Sequence, residues 1–290
     1  MTGQKQSVAH RPVASSTRRP GKRTATSQRL PPDLRSHIRS GLAQRDGLLA
    51  CFDFDGTLAP IVDEPSEARP LPAARRGLSS LESVDGVTTA VVSGRALSDV
   101  ADRIDGADAY AGNHGLELER DGSVSIHPVA QKRAALVTRC CRILESRLAP
   151  IPGCTVENKR LTGTVHVRHV AAWKRPAIRH EVETVVERIG GDALVISEGK
   201  SIYEIGPDIS WTKGDAVSLL ESSQVTDQFV LYLGDDTTDE TVFRRLGPSG
   251  CGVHVGTSAE TEASYRVRSP QSVCRLLQWL VDVATDRFEY

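Results

Sequence analysis

None of the six cysteines (Cys51, Cys140, Cys141, Cys154, Cys251, Cys274) stands in a C-x-x-C pair and few histidines lie near them, so neither a zinc site nor a disulfide scaffold is indicated. They fit reduced thiols in a cytoplasmic protein. No apolar run resembles a signal-peptide core or a membrane span, and no membrane partner is expected. Residues 1–32 contain no Asp or Glu but seven Lys or Arg. This head is rich in Ser, Thr and Pro and has no apolar periodicity, so it buries too little surface to offset the entropy of ordering and is expected to be a disordered basic tail. A transit peptide and a weak anchor to an anionic surface are the sharper readings of the same composition. The tail lacks aromatic interleaving and any reader motif, which argues against a nucleic-acid partner. There is no tandem repeat. What remains is an ordinary balance, with 39% hydrophobic and 25% charged residues over 290 positions and a net charge of −1, enough for one core and a smaller satellite domain.

The run Gly-Leu-Leu-Ala-Cys-Phe at 47–52 is continuously apolar and ends in Asp53-Phe54-Asp55-Gly56, as a strand buried on both faces of a parallel sheet should. A helix over 72–81, a second buried strand over 87–92 and a helix over 97–103 continue the alternation, so the class is α/β with a Rossmann-like parallel-sheet core. From about 131 the pattern changes to helix-strand-strand twice: a helix over 131–148, strands over 155–158 and 162–169, a helix over 173–189, and strands over 194–197 and 201–205. Lys159-Arg160-Leu161 is short enough to make the first pair an antiparallel hairpin, and the two units together predict one sheet with both helices on one face. The domain reading is a core over 33–130 and 206–290 with an inserted α+β cap over 131–205. In the resumed core, Lys213 opens a helix, 229–233 is a strand ending at Gly234-Asp235-Asp236, and 251–255 is the last strand.

Ligands of an open parallel sheet sit at the carboxyl ends of its strands, and here acidic residues stand at two such ends, where a core would not want them. Asp53 and Asp55 project to one side of extended chain, and Gly56 lets the backbone turn. Their mutual repulsion is relieved if a hard cation such as Mg2+ lies between them and Asp235. A carboxylate needs no activating base, so Asp53 can attack phosphorus once the metal and Lys213 screen it. Asp55 is placed to protonate the leaving alkoxide and then to take a proton from water. Ser93, with Arg95 close by, can hydrogen-bond the transferring phosphoryl oxygens. Taken singly, each piece has a bland reading as a calcium loop, a helix cap or a surface turn. Their order, each at a strand end or helix start, makes chance a poor explanation.

The series Asp53-Phe54-Asp55-Gly56-Thr57, Ser93, Lys213 and Gly234-Asp235-Asp236-Thr237-Thr238-Asp239 resembles the haloacid dehalogenase superfamily of phosphohydrolases over about 46–285. The resemblance implies Asp53 as nucleophile, Asp55 as acid/base, Ser93 and Lys213 as phosphoryl-binding groups, and Mg2+ held by the side chains of Asp53 and Asp235 and the backbone carbonyl of Asp55. It also implies that Asp239 orients Lys213 or a metal-bound water, and that the insertion is a C2-type cap. Within the superfamily the chain is similar to the trehalose-6-phosphate phosphatases, through Gly112-Asn113-His114-Gly115-Leu116-Glu117, Val156-Glu157-Asn158-Lys159, and Tyr203-Glu204-Ile205 followed by Lys213-Gly214. That similarity implies a sugar-phosphate substrate gripped by Asn113 and His114 from the core and by Glu157, Lys159, Arg168 and Glu204 from the cap. Charged side chains grip sugar hydroxyls well, although Glu, Lys and Arg on a small sheet also read as a solvated salt-bridge face. His166 and His169 read as surface or packing residues, and Cys51 as a small core residue. The chain departs from the family pattern at Gly206, where Arg is frequent. A phosphatase for sucrose phosphate or mannosyl-phosphoglycerate would share every catalytic residue and differ in the cap. A silent sugar-phosphate sensor would usually have lost one of them. The expected form is a monomer.

Overall fold

A strand with neighbours on both edges and helices on both faces has no solvent side, and Gly47–Phe52 (β1) is buried at all six positions. In the computed structural model, which describes Thr2 and residues 30–246, 250–257 and 260–289, β1 pairs in parallel with Val87–Val92 (β2) on one edge and Gln228–Gly234 (β10) on the other. The basic tail lies almost wholly outside the described residues. Beyond β2 come Ala109–Gly112 (β3), parallel, and Glu117–Arg120 (β4) and Ser123–Ile126 (β5), antiparallel. Beyond β10 come Cys251–Val255 (β11) and Tyr265–Val267 (β12), both parallel. The sheet order is β12-β11-β10-β1-β2-β3-β4-β5.

Alternate residues of β1 feed two separate cores. Leu48, Ala50 and Phe52 pack with apolar residues of Pro32–Gln44 (α1), Pro72–Glu82 (α2), Leu97–Arg103 (α3) and Pro270–Phe288 (α8). Leu49 and Cys51 face Lys213–Ser222 (α6) and Glu240–Leu246 (α7). The result is a three-layer α/β core, as its strand pattern predicts.

Between β5 and α6 the chain builds a second sheet, antiparallel throughout, in the order β6-β7-β9-β8 from Thr155–Asn158 (β6), Gly163–His166 (β7), Leu194–Gly199 (β8) and Ile202–Pro207 (β9). The helices Pro128–Leu148 (α4) and Arg175–Gly190 (α5) pack on its apolar face around Val165, Tyr203 and Ile205. The opposite face carries a row of directly paired residues, Glu157, Thr164, Glu204 and Ser197.

Several expectations are corrected. Val255 does not end the last strand, because β12 and the 19-residue helix α8 follow it. Helix α1, strands β3, β4 and β5, and helix α7 are also absent from the sequence reading. The inserted elements span 128–207 rather than 131–205, since Pro128 starts α4 at a position where its missing N–H costs nothing. Strand β7 is shorter than 162–169, and a 3-10 turn at Ala172–Lys174 delays α5.

Candidate active site

Three parallel strands deliver the chemistry at their carboxyl ends: β1 leads into Asp53, β2 into Ser93 and β10 into Asp235. Asp53 is held by its N–H donating to the Leu233 carbonyl at 2.8 Å. Lys213 is the first residue of α6, which begins with a capping box: Thr212 accepts from the Asp215 backbone while the Asp215 carboxylate accepts from Thr212. That box aims Lys213 at the sheet edge. Its Nζ donates to Asp53 Oδ1 at 2.7 Å and Asp239 Oδ1 at 2.8 Å, with all three residues buried.

Asp239 is fully buried and spent on four donors. Oδ1 accepts from Lys213 and from Tyr232 Oη at 2.6 Å, and Oδ2 accepts the N–H groups of Asp235 and Asp236, each at 2.9 Å. It is therefore an orienting group rather than a free ligand. The sequence places Tyr232 in the strand over 229–233 without a role at the site. The signal was present, because a Tyr inside an otherwise apolar buried strand must find a partner for its hydroxyl.

The electrostatics leave this cluster short of positive charge. Burial first, then the charges of Asp239 and Asp235, push the Asp53 carboxyl well above its ordinary range, against the pull of Lys213. Burial and Asp239 push Asp235 up to about 7. Lys213 is raised, since Asp239 and Asp53 outweigh the burial that would lower it. Oxygens of Asp53, Asp235 and Asp239 lie within 4.8 Å of one another. A hard, oxygen-seeking dication suits such a set. The approach also needs Gly56, whose φ is +82° and where a Cβ would fall 2.1 Å from Asp235 Oδ2. With Asp239 occupied, Asp53 and Asp235 are the side chains left that could hold such an ion.

Arg95 is already engaged. It is not free to meet a phosphoryl group: Nε and Nη2 donate to Asp55 at 2.7 and 2.8 Å, Nη1 to Asp99 at 2.7 Å, and Nη2 also to the Pro65 carbonyl at 2.9 Å. Every branch of the fork is taken, and Arg95 acts here through Asp55. Ser93 is buried, and its Oγ accepts the Arg95 N–H at 3.2 Å.

Five of the six expected sugar contacts line two cavities. Asn113, His114 and Glu204 line a cavity of about 220 Å3, together with Trp211 and Lys213. Glu157 and Arg168 line a second of about 430 Å3, together with Arg95 and His166. The second falls within the usual size of a small-molecule site. Lys159 lines neither; its Nζ donates to the Gly94 carbonyl at 3.0 Å and to Glu204 at 3.4 Å. His114 Nε2 lies 3.1 Å from Glu204 Oε2, so cap and core are closed on each other through these three side chains. Burial would raise Glu204, but His114 and Lys159 hold it well below the usual carboxylate range. Asn113 is fully buried, with its amide engaged by Glu117, the Lys159 carbonyl and Thr162. His166 Nε2 pairs with Glu157 Oε2 at 2.9 Å in the larger cavity and helps to hold Glu157 below its ordinary value. Arg168 reaches the Val62 carbonyl at 3.0 Å. Gly206 lines the smaller cavity, and a Cβ there would meet nothing closer than 3.7 Å, so steric crowding does not demand glycine.

Comparison with known proteins bears directly on this arrangement. The trehalose-phosphatase family model matches residues 51–271, which include each of these groups. The chain belongs to the trehalose-phosphatase family. A trehalose-phosphate phosphatase of Mycobacterium ulcerans is 34% identical over 232 residues, covering 77% of this chain and 58% of that protein. Trehalose-phosphate phosphatase B of Arabidopsis thaliana is 32% identical over 248 residues, covering 80% and 65%. The chain thus spans about six-tenths of the length of these curated relatives. Among solved structures, the C-terminal domain of C. albicans trehalose-6-phosphate phosphatase has a TM-score of 0.73 at 22% identity, covering 86% of this chain and 96% of that one, a likeness of fold. A haloacid dehalogenase-like hydrolase from Bacteroides thetaiotaomicron shares the fold at a TM-score of 0.56 and 15% identity. Among the described residues, no helix of this family member is long and apolar enough to cross a membrane.

Proposed function

We propose that this chain is a magnesium-dependent phosphatase that hydrolyses trehalose 6-phosphate to trehalose and phosphate. The observation that carries the reading is Lys213 bridging buried Asp53 and Asp239 beside Asp235, at the carboxyl edge of the sheet, in a member of the trehalose-phosphatase family.

Lys213 offsets the charge of Asp53 and keeps Oδ1 fixed, leaving the carboxylate to attack phosphorus in line with the leaving oxygen. Asp55 passes a proton to the departing sugar alkoxide, and the phosphoryl group is left on Asp53. Asp55, paired with Arg95, then takes a proton from water as that water attacks phosphorus, which breaks the bond to Asp53, releases phosphate and regenerates the Asp53 carboxylate. Ser93 and Lys213 hold phosphoryl oxygens. When bound, Mg2+ supplies positive charge to the phosphoryl oxygens, with Asp53 and Asp235 as its side-chain ligands. Glu157, His166 and Arg168 in the larger cavity, and His114 and Glu204 in the smaller, are the groups available to the sugar. A monomer suffices, because every named group comes from one chain.

The test is phosphate release from trehalose 6-phosphate, sucrose 6-phosphate and glucose 6-phosphate, with Mg2+ and with EDTA. A Mg2+-dependent preference for trehalose 6-phosphate is the expected result. Preference for another sugar phosphate keeps the core chemistry and discards the sugar assignment, and inactivity on all three with Mg2+ present rejects the enzyme in favour of a sensor.

A further inference from the structure

The tip of the β6–β7 hairpin, residues 159–162, is driven into the core. Leu161 is fully buried against Leu116 and Ala130. Thr162 Oγ1 donates to Asn113 Oδ1 at 2.6 Å, and Asn113 Nδ2 donates to the Lys159 carbonyl at 3.2 Å. Arg160, held at φ +71°, donates through Nη2 to Glu117 Oε2 at 3.2 Å. The receiving turn is itself unusual, with Asn113, His114 and Gly115 at φ +49°, +58° and +90°. Consecutive left-handed residues persist where their surroundings over-determine them.

The same turn holds the loop that follows β2. The His114 N–H donates to the Ser93 carbonyl at 2.9 Å and the Asn113 N–H to the Arg95 carbonyl at 2.6 Å. Glu117 completes the arrangement. Its Oε1 accepts the Leu97 N–H at 2.8 Å and Asn113 Nδ2 at 2.7 Å, while Oε2 takes Arg160 from the cap. A carboxylate this buried must have its oxygens filled, and the donors come from three separate segments.

Resting on the phosphatase reading above, we propose that Glu117 is a positioning residue for the phosphoryl site: one oxygen sets the Ser93–Leu97 loop, the other seats the cap hairpin, and the loop takes its phosphate-binding shape when the hairpin is in place. Cap closure is thereby coupled to the chemistry through a group that touches neither substrate nor metal.

The full chain is assayed with Mg2+ on p-nitrophenyl phosphate, a substrate without a sugar for the cap to hold. The variants are Arg160→Ala, Glu117→Gln and both together. Gln keeps an oxygen for Leu97 and Asn113 but turns its NH2 toward Arg160, so each single variant cuts the cap side of the link. The expected result is a kcat lower by about fivefold to tenfold in each, KM within about twofold, and no further loss in the double variant. Unchanged kcat, additive losses, or losses that simply follow a lowered Tm overturn the proposal. If the wild-type chain releases no phosphate from any substrate, the phosphatase reading fails on its own. Hydrogen exchange then decides the coupling: faster exchange of the amides at 93–97 in Arg160→Ala supports it, and unchanged exchange rejects it.

Discussion

Asp53 and Lys213 are 160 positions apart in the chain and 2.7 Å apart in the fold. The charge on Asp53 is what the proposed chemistry consumes, so Asp53→Asn should lower turnover by at least about a thousandfold, roughly 4 kcal/mol of barrier, with an unchanged circular dichroism spectrum. Gly56→Ala tests the proposed metal cradle without replacing a ligand residue. A methyl group would collide with the Asp235 carboxylate and force a side chain into left-handed backbone. Mg2+ affinity read by calorimetry should fall at least about tenfold. The carboxylates and Lys213 were legible because chemistry requires those residue types at strand ends. Arg95 and Asn113 were not, because a one-dimensional motif does not say that their donors are already spent on Asp55, Asp99, Glu117 and the Lys159 carbonyl.

Elements were legible in proportion to how strongly burial constrains their pattern. Strands β1 and β2 match their predicted limits: β1 is a continuous apolar run covered on both faces, and β2, which carries Thr88 and Thr89, ends in the buried apolar run Ala90, Val91 and Val92. Strands β3, β4 and β5 have four residues each and lie toward one sheet edge, too short for an alternation to stand out. Helix α8 is the larger omission. It packs Leu276, Leu277 and Leu280 into the main core against α2. Leu280 is fully buried, so Leu280→Ala should cost about 2–5 kcal/mol in urea unfolding while the proposed phosphatase activity per folded molecule holds.

At the scale of the molecule, cap and core meet through a small charged contact whose pH response has a definite sign. Glu204 is held by His114 and Lys159 below its reference value of 4.5, so its stabilisation is complete above that value and is lost as pH falls toward the depressed folded value. Thermal unfolding from about pH 7 to about pH 3 should show an acid-side loss that Glu204→Gln flattens. A slope identical in the two proteins would mean that the contact is absent in solution. The α/β class, the inserted second sheet, the family and the carboxylate-lysine set followed from sequence alone, because apolar runs, turn residues and catalytic groups leave local marks on the chain. The placement of the expected sugar contacts along two cavities, the commitment of Arg95 and Asn113, and the seating of the hairpin tip beside Glu117 were decided by tertiary structure. Those depend on which donors and acceptors from distant segments reach one another first, and no local pattern records that.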